Sequence, residues 1–495
     1  MVAFKGRDII NISDFNLEDL VHVLDIAEEI GEKDSWNDDC VYWNLLRRKT
    51  VANVFFENST RTRLSFTMAG SYTGAFYLPF NIHDGTSVKK GETLHDSMKM
   101  LQAYGAECAI IRHPCDGAPQ WVADCMDFPI INAGDGSHEH PTQTVLDLFT
   151  IRKLQESLEG LDIALVGDLK YGRTVHSLTK ALSLVPKTRL HFISPRQLQM
   201  PDYIKQVLSE RDINHYEHSR IEDVIGDVDI LYMTRVQEER FGDRAEYEAV
   251  KNALILNKRL LDRGVRENLR IMHPLPRNKI AMEIATDVDD TLYAKYFEQA
   301  GYGIPTRIAL LGLVLGILGD RETYIPPTME SNGEPNFEVT RTGEIKKKEG
   351  AFLVYEIEEG TIIDHIPGGQ GRKVISYLDL PENITYTHGA NLPSRKLGKK
   401  DVVKLFDHHL RSSEMNKIAL VAPEATINIK SIDGIKKGKV HLPKSLRDII
   451  ECTNPHCISH KQYVEHVPTV FNTNDNGFDC HYCDKTISKK EVVLK

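Results

Sequence analysis

Short apolar runs alternate with amphipathic stretches along most of the chain before Met272. Apolar runs bounded by turn residues are typical of buried strands, whereas apolar positions three and four residues apart are typical of helices. The alternation predicts an α/β chain with two doubly wound parallel-sheet domains, helices lying on both faces of each sheet. We predict strands over 51–56, 75–80, 108–112, 129–132, 161–167, 189–193, 229–233 and 270–272, and helices over 14–31, 61–73, 92–104, 142–154 and 174–184.

The strand and helix pattern restarts after the helix predicted over 142–154, which therefore connects two sheets. We place a first domain at 1–145 and a second at 146–323, the latter ending in a helix that returns to the first domain. Ligands of paired sheets of this kind bind in a cleft that faces the carboxyl ends of the strands.

The pattern changes after residue 323. Prolines, glycines and a lysine run predict a linker over 324–350. Beyond it, shorter elements predict a small α+β domain over 351–445 and a small β domain over 446–495. Within the α+β domain we predict strands over 352–357, 373–378 and 417–422, and one helix over 400–410.

Composition narrows the functional classes. The 495 residues are too many for a single core. The net charge of −10 and the lack of a dense basic tract argue against nucleic acid as a partner. The N-terminus has no apolar signal core, and the longest apolar run, Ile308 to Leu318, is too short to span a bilayer. We therefore expect a cytoplasmic protein without a membrane partner.

The string from Ser59 to Arg63 follows the first predicted strand directly. A strand that turns into a helix start directs free backbone N–H groups at one spot, which favours an anion. Hydroxyls and guanidinium groups at that spot favour phosphate, although such a string alone also fits an ordinary helix cap. In the helix that follows, we expect Leu64, Phe66 and Met68 to face inward.

Other polar side chains lie at the predicted carboxyl ends of strands. Arg112 ends one strand, and His140 and Gln143 begin the connecting helix. Arg173 and Arg235 follow strands of the second domain, and two guanidinium groups in one cleft suit a ligand with two carboxylates. A Pro-Leu-Pro turn at 274–276 leaves backbone carbonyls that can accept hydrogen bonds.

The strings at 55–66, 140–143 and 273–277, in this order, resemble those of the aspartate and ornithine carbamoyltransferases. The resemblance implies transfer of the carbamoyl group of carbamoyl phosphate to the amine of L-aspartate, a step of pyrimidine biosynthesis, without a catalytic metal. It implies carbamoyl-phosphate binding by Ser59, Thr60, Arg61, Thr62, Arg112, His140, Gln143, Leu275 and Pro276. It implies aspartate binding by Lys90, Arg173, Arg235 and Gln237. Catalytic roles would fall to Arg61, Thr62, Lys90, Arg112 and His140.

Some of these matches carry further implications. Lys90 matches a lysine that the family inserts into the site of a neighbouring subunit, which implies a homo-oligomer built from catalytic trimers. Both Thr86 and Ser87 remain candidates for a nearby position. Pro274 stands where the ornithine branch usually has cysteine, which favours aspartate. A carbamoyltransferase for another amine, and a binding or scaffold protein without turnover, remain as alternatives. Glu57 and Arg240 match residues that form ion pairs supporting the closed cleft in this family. Arg277 lies beside the Pro-Leu-Pro turn.

Four cysteines near the C-terminus form a C-x4-C pair and a C-x2-C pair separated by 22 residues. Two such pairs can meet at one Zn²⁺, and a site of four cysteines is structural. A disulfide pair is the alternative, which the lack of a secretion signal disfavours. We predict one structural zinc ion per chain, bound by Cys452, Cys457, Cys480 and Cys483. The scattered Cys40, Cys108, Cys115 and Cys125 are expected to be buried or idle thiols.

The strings at 360–367, 391–394 and 398–404 resemble the regulatory chain of bacterial aspartate carbamoyltransferase. The resemblance implies that Asp364, His365 and Lys404 bind effector nucleotides such as CTP, UTP or ATP. A further lysine is either Lys439 or Lys437. Fusion to the catalytic segment fixes one regulatory segment per catalytic segment, and trimers that pair would give a hexamer. A C-terminal segment that serves assembly only is the alternative.

Overall fold

The structure is a computed structural model that describes residues 3–32, 42–81, 87–237, 241, 243–278, 282–319, 324, 336–343, 357–378, 380–460, 462–463 and 465–495. The chain divides into two compact units, Met1–Pro326 and Pro327–Lys495. The expectations for Cys40, Thr86, Arg240 and residues 352–356 lie outside the described residues.

The first unit contains two parallel sheets. The strands of the first sheet are β1 (Thr50–Phe55), β2 (Phe76–Asn81), β3 (Cys108–His113) and β4 (Ile130–Asp135). They lie in the order β2–β1–β3–β4, and every neighbouring pair is parallel. The central strands β1 and β3 are almost wholly buried, as expected for a sheet covered on both faces.

The second sheet repeats this arrangement with one more strand. Its strands are β5 (Asp162–Val166), β6 (Arg189–Ile193), β7 (Asn214–His218), β8 (Ile230–Met233) and β9 (Arg270–Met272). The order is β7–β6–β5–β8–β9, again with parallel pairs only. The prediction of two parallel α/β sheets is confirmed.

Eleven helices are described in the first unit. They are α1 (Leu17–Glu32), α2 (Arg61–Thr73), α3 (Leu94–Ala103), α4 (Ala118–Cys125), α5 (Pro141–Gln155), α6 (Arg173–Leu182), α7 (Asp202–Glu210), α8 (Arg244–Val250), α9 (Lys258–Leu261), α10 (Tyr296–Gly301) and α11 (Gly303–Val314).

Two of these helices form the centre of the unit. In α5 the first eleven residues are all buried, and in α11 all residues but Ile304 are buried. Helix α11 packs against α1, α2 and α5. One continuous apolar core therefore contains side chains from these helices and from strands of both sheets, such as Ile110 and Tyr232.

Two details of the first unit differ from the sequence prediction. Phe66 is buried, but Leu64 and Met68 are 51% and 37% exposed. Residues four apart share one helix face and Phe66 lies on the opposite face, so the three could not all face inward. Strand β7 was not predicted, because it lies at the edge of its sheet and its residues are largely polar and exposed.

The second unit contains two antiparallel sheets. The larger consists of β10 (Asn336–Gly343), β11 (Gly360–Pro367), β12 (Tyr386–Ser394), β13 (Gly398–Phe406), β14 (Thr426–Ser431) and β15 (Gly434–His441), in the order β10–β15–β14–β11–β13–β12. Helices α12 (Gly371–Tyr377) and α13 (Ser412–Val421) complete this part of the unit. The smaller sheet has β16 (Ser445–Arg447), β17 (Val470–Thr473), β18 (Gly477–Cys480) and β19 (Thr486–Ser488), in that order.

Several elements predicted for the α+β domain are wrong. Residues 373–378 and 417–422, predicted as strands, lie almost entirely in α12 and α13. The helix predicted over 400–410 is largely β13, in which Asp401, Val403 and Leu405 are buried and alternate with less buried residues. This period of two is that of a strand. The predicted linker over 324–350 contains β10, which pairs with β15.

Within the described part of the chain, none of the helices combines the length and the apolar character required to cross a membrane. The scattered cysteines behave as expected where they are described, because Cys108 and Cys115 are buried and Cys125 is half-buried.

Helix α11 gives a test of the shared core. Replacing the fully buried Leu310 with alanine removes methylene groups and leaves a cavity, which we expect to lower the free energy of unfolding by about 2–5 kcal/mol. The three tryptophans, at positions 36, 43 and 121, all lie in the first unit, so urea unfolding followed by tryptophan fluorescence reports on it. Leu292→Ala, at a site that is 65% exposed, is the matched control and should leave the midpoint almost unchanged.

Candidate active site

One cleft collects the carboxyl ends of strands from both sheets of the first unit. Its volume is about 430 Å³. Its lining includes residues just after β1, β8 and β9 and residues at the starts of α2, α5 and α6, as expected for paired parallel sheets. The predicted site residues that line it are Ser59, Thr60, Arg61, Thr62, Arg112, His140, Gln143, Arg173, Arg235, Gln237, Leu275 and Pro276.

The phosphate-type string lies between β1 and α2. Thr60 occupies the N-cap position of α2, but its side chain makes no capping hydrogen bond. The backbone N–H groups of the first turn therefore point out of the helix start, and the helix dipole adds positive potential there. Arg61 and Thr62 form that first turn and line the cleft. The arrangement suits a bound anion.

Positive charge is concentrated in this cleft. Burial, and then the charge of Arg235, lower the pKa of Arg61. Burial, and then the charge of Arg173, lower the pKa of Arg112 to about 9, although Glu57 counteracts this. The carboxylate of Glu57 accepts from Arg112 at 3.0 Å and from Arg173 at 3.3 Å. A cleft with this excess of guanidinium groups favours ligands that carry several negative charges.

The two central arginines are held by the carboxyl end of β4 and the residue that follows it. Arg112 Nη1 donates to the carbonyl oxygen of Ala133 at 3.2 Å, and Arg173 Nη1 to that of Gly136 at 2.6 Å. Gly134 has a φ of +111°, and a Cβ there would lie 3.1 Å from atoms of both guanidinium groups. Glycine is therefore required where the backbone passes between the two arginines.

His140 lies at the N-terminal end of α5 and is buried. Burial, and then the charges of Arg173 and Arg112, hold its pKa well below the usual value. The imidazole is thus neutral at physiological pH and can donate one hydrogen bond from a ring N–H. Its backbone N–H donates to Ser177 Oγ at 3.0 Å, which fixes the start of α5 against α6.

The second sheet supplies the opposite wall. Gln237 Nε2 donates to the carbonyl oxygen of Tyr171 at 3.0 Å, and Arg235 follows β8. After β9, the backbone N–H of Leu275 donates to His273 Nδ1 at 2.7 Å. Leu275 has a φ of +55°, and the peptide bond to Pro276 is cis. This compact turn places Leu275 and Pro276 at the edge of the cleft.

Lys90, which was predicted to bind aspartate, and Arg277, to which the sequence assigned no role, do not line the cleft. Lys90 ends a short 3₁₀ turn, Ser87–Lys90, and does not belong to the described residues that line this cleft. Arg277 forms an ion pair with Asp289, with hydrogen bonds of 2.5 and 2.9 Å. Sequence reasoning missed Gln299 and Arg307, which line the cleft from α10 and α11. Arg307 could have been identified from the sequence, because it is the one charged residue in the largely apolar sequence of α11.

The residues predicted to bind effectors lie on the larger sheet of the second unit. Lys404 on β13 lies opposite Ile362, which in turn lies opposite Asn428, and Asn428 lies opposite Lys437. Residues opposite one another share a face of the sheet. Lys404 and Lys437 therefore occupy one cross-strand row.

A neighbouring row contains two more of the predicted effector residues, Asp364 and Lys439. Asp364 lies opposite Thr426, which lies opposite Lys439. Asp364 forms ion pairs with Lys400 at 2.6 Å and with His365 at 3.2 Å. Lys439 lies 3.6 Å from Glu424. Sequence reasoning missed Lys400, and the lysine run 399–400 was its only signal.

The four C-terminal cysteines meet at one point. Their sulfur atoms all lie within 4.8 Å of one another and all four residues are buried. Cys452 Sγ lies 3.7 Å from Cys483 Sγ, and Cys457 Sγ 3.8 Å from Cys480 Sγ. A tetrahedral ion with metal–sulfur bonds of about 2.3 Å places its sulfurs roughly 3.8 Å apart. The cluster therefore fits a structural metal ion.

Comparison with known families covers both units. Residues 7–153 match the carbamoyl-phosphate-binding domain of aspartate/ornithine carbamoyltransferases, and residues 159–314 match their aspartate/ornithine-binding domain. Residues 352–441 match the allosteric domain of the aspartate carbamoyltransferase regulatory chain, and residues 444–493 match its metal-binding domain. The resemblance inferred from the motifs is confirmed, and so is a metal-binding C-terminal domain.

Individual relatives cover the catalytic part of the chain. An aspartate carbamoyltransferase catalytic subunit of Thermococcus kodakarensis is 47% identical over 316 residues, which are 64% of this chain and 99% of that protein. The catalytic subunit of Methanosarcina mazei is 46% identical and matches over its whole length, again over 64% of this chain.

Solved structures give the same result. The catalytic subunit of M. jannaschii aspartate transcarbamoylase is 42% identical to this chain, with a TM-score of 0.57, and the match covers 63% of this chain and 98% of that one. The Trypanosoma cruzi enzyme, solved with carbamoyl phosphate and aspartate, is 33% identical, with a TM-score of 0.58 over 63% of this chain and 96% of that one.

The cysteine cluster can be tested by metal content. Cys480→Ser removes one of four thiolate ligands, and we expect the metal bound per chain, measured by elemental analysis after gel filtration, to fall substantially. Cys125→Ser alters a half-buried cysteine outside the cluster and should leave the metal content unchanged. Equal metal content in the two variants would contradict a metal site at these four residues.

Proposed function

The chain belongs to the aspartate carbamoyltransferase family, and from that premise we propose that it transfers the carbamoyl group of carbamoyl phosphate to the amine of L-aspartate. The products are N-carbamoyl-L-aspartate and phosphate, in the pathway of pyrimidine biosynthesis. The observation that carries the proposal is one cleft in which a phosphate-type helix start, a neutral histidine and the arginines of the second sheet lie together.

The cleft provides the groups that the reaction requires. Arg61, Arg112 and the start of α2 bind the phosphate, which leaves as the amine nitrogen attacks the carbamoyl carbon. His140 and Thr62 donate hydrogen bonds to the carbonyl oxygen, where negative charge develops as the new C–N bond forms. The charge is lost when the C–O bond to phosphate breaks, and the proton that the amine gives up leaves with the phosphate. The geometry holds both substrates together, so much of the entropic barrier is removed at binding.

The remaining groups of the site orient the substrates. Arg173 and Arg235, with Gln237, bind the two carboxylates of aspartate, while the side chain of Gln143 and the backbone carbonyl of Leu275 hold the carbamoyl NH₂. Two guanidinium groups would repel the side-chain ammonium of ornithine. Product formation with aspartate, measured beside ornithine, N-acetylornithine and putrescine, tests this choice, and activity with another amine alone would contradict it.

Lys90 fits a shared site. It lies in an exposed turn outside the cleft of its own chain, and in this proposal it completes the cleft of a neighbouring subunit with Thr86 or Ser87 beside it. The enzyme is then a homo-oligomer of catalytic trimers, with a hexamer if trimers pair, and acts in the cytoplasm. Glu57 and Arg240 support closure of the cleft.

The second unit, in this proposal, is regulatory. Asp364, His365 and Lys404, with Lys439 or Lys437, bind effector nucleotides on one face of the larger sheet, and Lys400 joins them through its ion pair with Asp364. The ion at the four cysteines is Zn²⁺, which suits a closed site of four thiolates. The functional domains are 1–145, 146–323, 351–445 and 446–495, and β10, which precedes the third of these, pairs with its strand β15.

The role of Arg61 gives the first kinetic prediction. Arg61→Ala removes a guanidinium group from the helix start that faces the phosphate, and we expect kcat/KM to fall about 100- to 1000-fold, as for loss of one electrostatic donor. The assay is formation of carbamoyl aspartate. Arg63→Ala, two residues further along α2 and outside the cleft lining, is the control. Near-normal turnover of Arg61→Ala would contradict the phosphate assignment.

Regulation gives the second kinetic prediction. We expect the aspartate saturation curve to shift when CTP, UTP or ATP is added, and Lys404→Ala to abolish the shift while the basal rate is retained. Lys373→Ala is the control. It removes the same charge from α12, outside the row that contains Lys404, and this variant should respond to nucleotides as the unaltered protein does. Hyperbolic curves insensitive to nucleotides would instead favour a C-terminal segment that serves assembly only.

A further inference from the structure

A buried carboxylate lies behind the cleft, where elements of both sheets meet. Asp147 lies on α5, one turn after Gln143, and is fully buried. Gln143 Nε2 donates to Asp147 Oδ1 at 2.9 Å, and Gln299 Nε2 donates to the same oxygen at 2.6 Å. Tyr232 Oη donates to Oδ2 at 2.7 Å. The three donors come from α5, α10 and β8, so one side chain connects three separate elements.

The hydrogen bonds continue from Gln299 to the turn after β9. Gln299 Oε1 accepts from the backbone N–H of His273 at 2.8 Å, and His273 Nδ1 accepts from the backbone N–H of Leu275 at 2.7 Å. On the other side, Gln143 itself lines the cleft. The chain of contacts through Asp147 thus ends at the two groups that would hold the carbamoyl NH₂.

The chemistry of the carboxylate fixes how both amides are oriented. An ionised carboxylate only accepts hydrogen bonds, so each glutamine must direct its NH₂ group toward Asp147. Gln299 then directs its oxygen to His273, as observed. By the same constraint Gln143 must direct its oxygen away from Asp147, where it can accept from an NH₂ group in the cleft.

We propose that Asp147 is a positioning residue for carbamoyl transfer. Its carboxylate sets the amide orientation of Gln143 and, through Gln299, the turn that carries Leu275. Oxygens from both walls of the cleft then face the carbamoyl NH₂. This inference rests on the proposed function, because it assigns Asp147 a role in that same reaction.

The surroundings of Asp147 make this role dependent on pH. Burial raises the pKa of Asp147 to about 7, although the hydrogen bonds from Tyr232, Gln299 and Gln143 and the charge of Arg307 act in the opposite direction. Arg307 on α11 and Tyr232 on β8 are the titratable groups that face it, and burial lowers the pKa of Arg307 to about 10. When Asp147 takes up a proton, it loses the negative charge that strengthens the hydrogen bonds from both amides, so it holds their orientation less firmly.

The test is the pH profile of kcat/KM for Asp147→Asn, which has nearly the same shape but carries an NH₂ group in place of one oxygen. In this variant the groups that hold the carbamoyl NH₂ are misplaced, which should lower kcat/KM on the order of 100-fold at about pH 8. The difference from the unaltered enzyme should narrow toward about pH 6, because there the native carboxyl is itself protonated. Loss of a merely structural contact would lower activity equally across the pH range, and that result would overturn the proposal.

Two further variants keep the test decisive. Tyr232→Phe retains the carboxylate but removes a hydrogen bond that lowers its pKa, so the acid limb of the profile should move to higher pH. This arm remains informative if Asp147→Asn does not fold, and an unmoved limb would overturn the proposal. Asp162→Asn removes another buried carboxylate, paired with Arg189 at the amino end of β5 and away from the cleft, and should leave the profile unchanged.

A double-mutant cycle tests the path through Gln299. Asp147→Asn should cost less in a Gln299→Ala background than in the unaltered enzyme, because the turn that carries Leu275 has already lost its support. Fully additive effects would show that Asp147 does not act through Gln299. If the unaltered enzyme forms no carbamoyl aspartate, the proposed function itself fails. If it is active and Asp147→Asn matches it at every pH, only the role of Asp147 fails.

Discussion

The structure of the first unit depends on gathering like charges in one cleft. Arg61, Arg112, Arg173 and Arg235 line the same space, and the charges of neighbours help to lower the pKa of Arg61 and Arg112. Such repulsion is tolerated only where the backbone positions the groups rigidly. The parallel sheets do this, because the carboxyl ends of their strands converge on the cleft. A dianionic phosphate and a dicarboxylate relieve the repulsion, so the free energy stored in the empty cleft becomes free energy of binding.

The same constraint explains why polar residues lie in the most buried helices. Helices α5 and α11 form the buried centre of the unit, yet α5 carries Gln143 and Asp147 and α11 carries Arg307. A buried carboxylate is costly unless hydrogen bonds compensate it, and Asp147 receives three. The packing core and the floor of the cleft are therefore one structure, in which a change in helix packing also moves groups of the candidate site.

The catalytic half of the fold could be predicted because its signals are local and repeated. Buried strands such as β1 and β3 are continuous apolar runs, and the residues that follow them fall at one edge of a sheet. In the α+β domain the signal failed. Strand β13 carries Asp401 at a buried position and Val402 at a less buried one, which hides its period of two, and α13 ends in a continuous apolar run over 418–421 that resembles a buried strand. Gln299 and Asp147 were missed for another reason. Their roles depend on hydrogen bonds across 152 positions of the chain, which no local pattern contains.

Fusion of the two halves changes the physical problem of regulation. The catalytic-subunit relatives match over almost their whole length but cover only 64% of this chain, and the regulatory domains match residues 352–441 and 444–493. When catalytic and regulatory parts are separate chains, the fraction that is associated depends on their concentrations. Covalent attachment replaces these with an effective concentration that the connecting segment sets. The stoichiometry is then one to one at any dilution. Affinity between the parts is then not needed to keep them together, and coupling between an effector site and a catalytic cleft requires only that effectors bind one catalytic state more tightly than another.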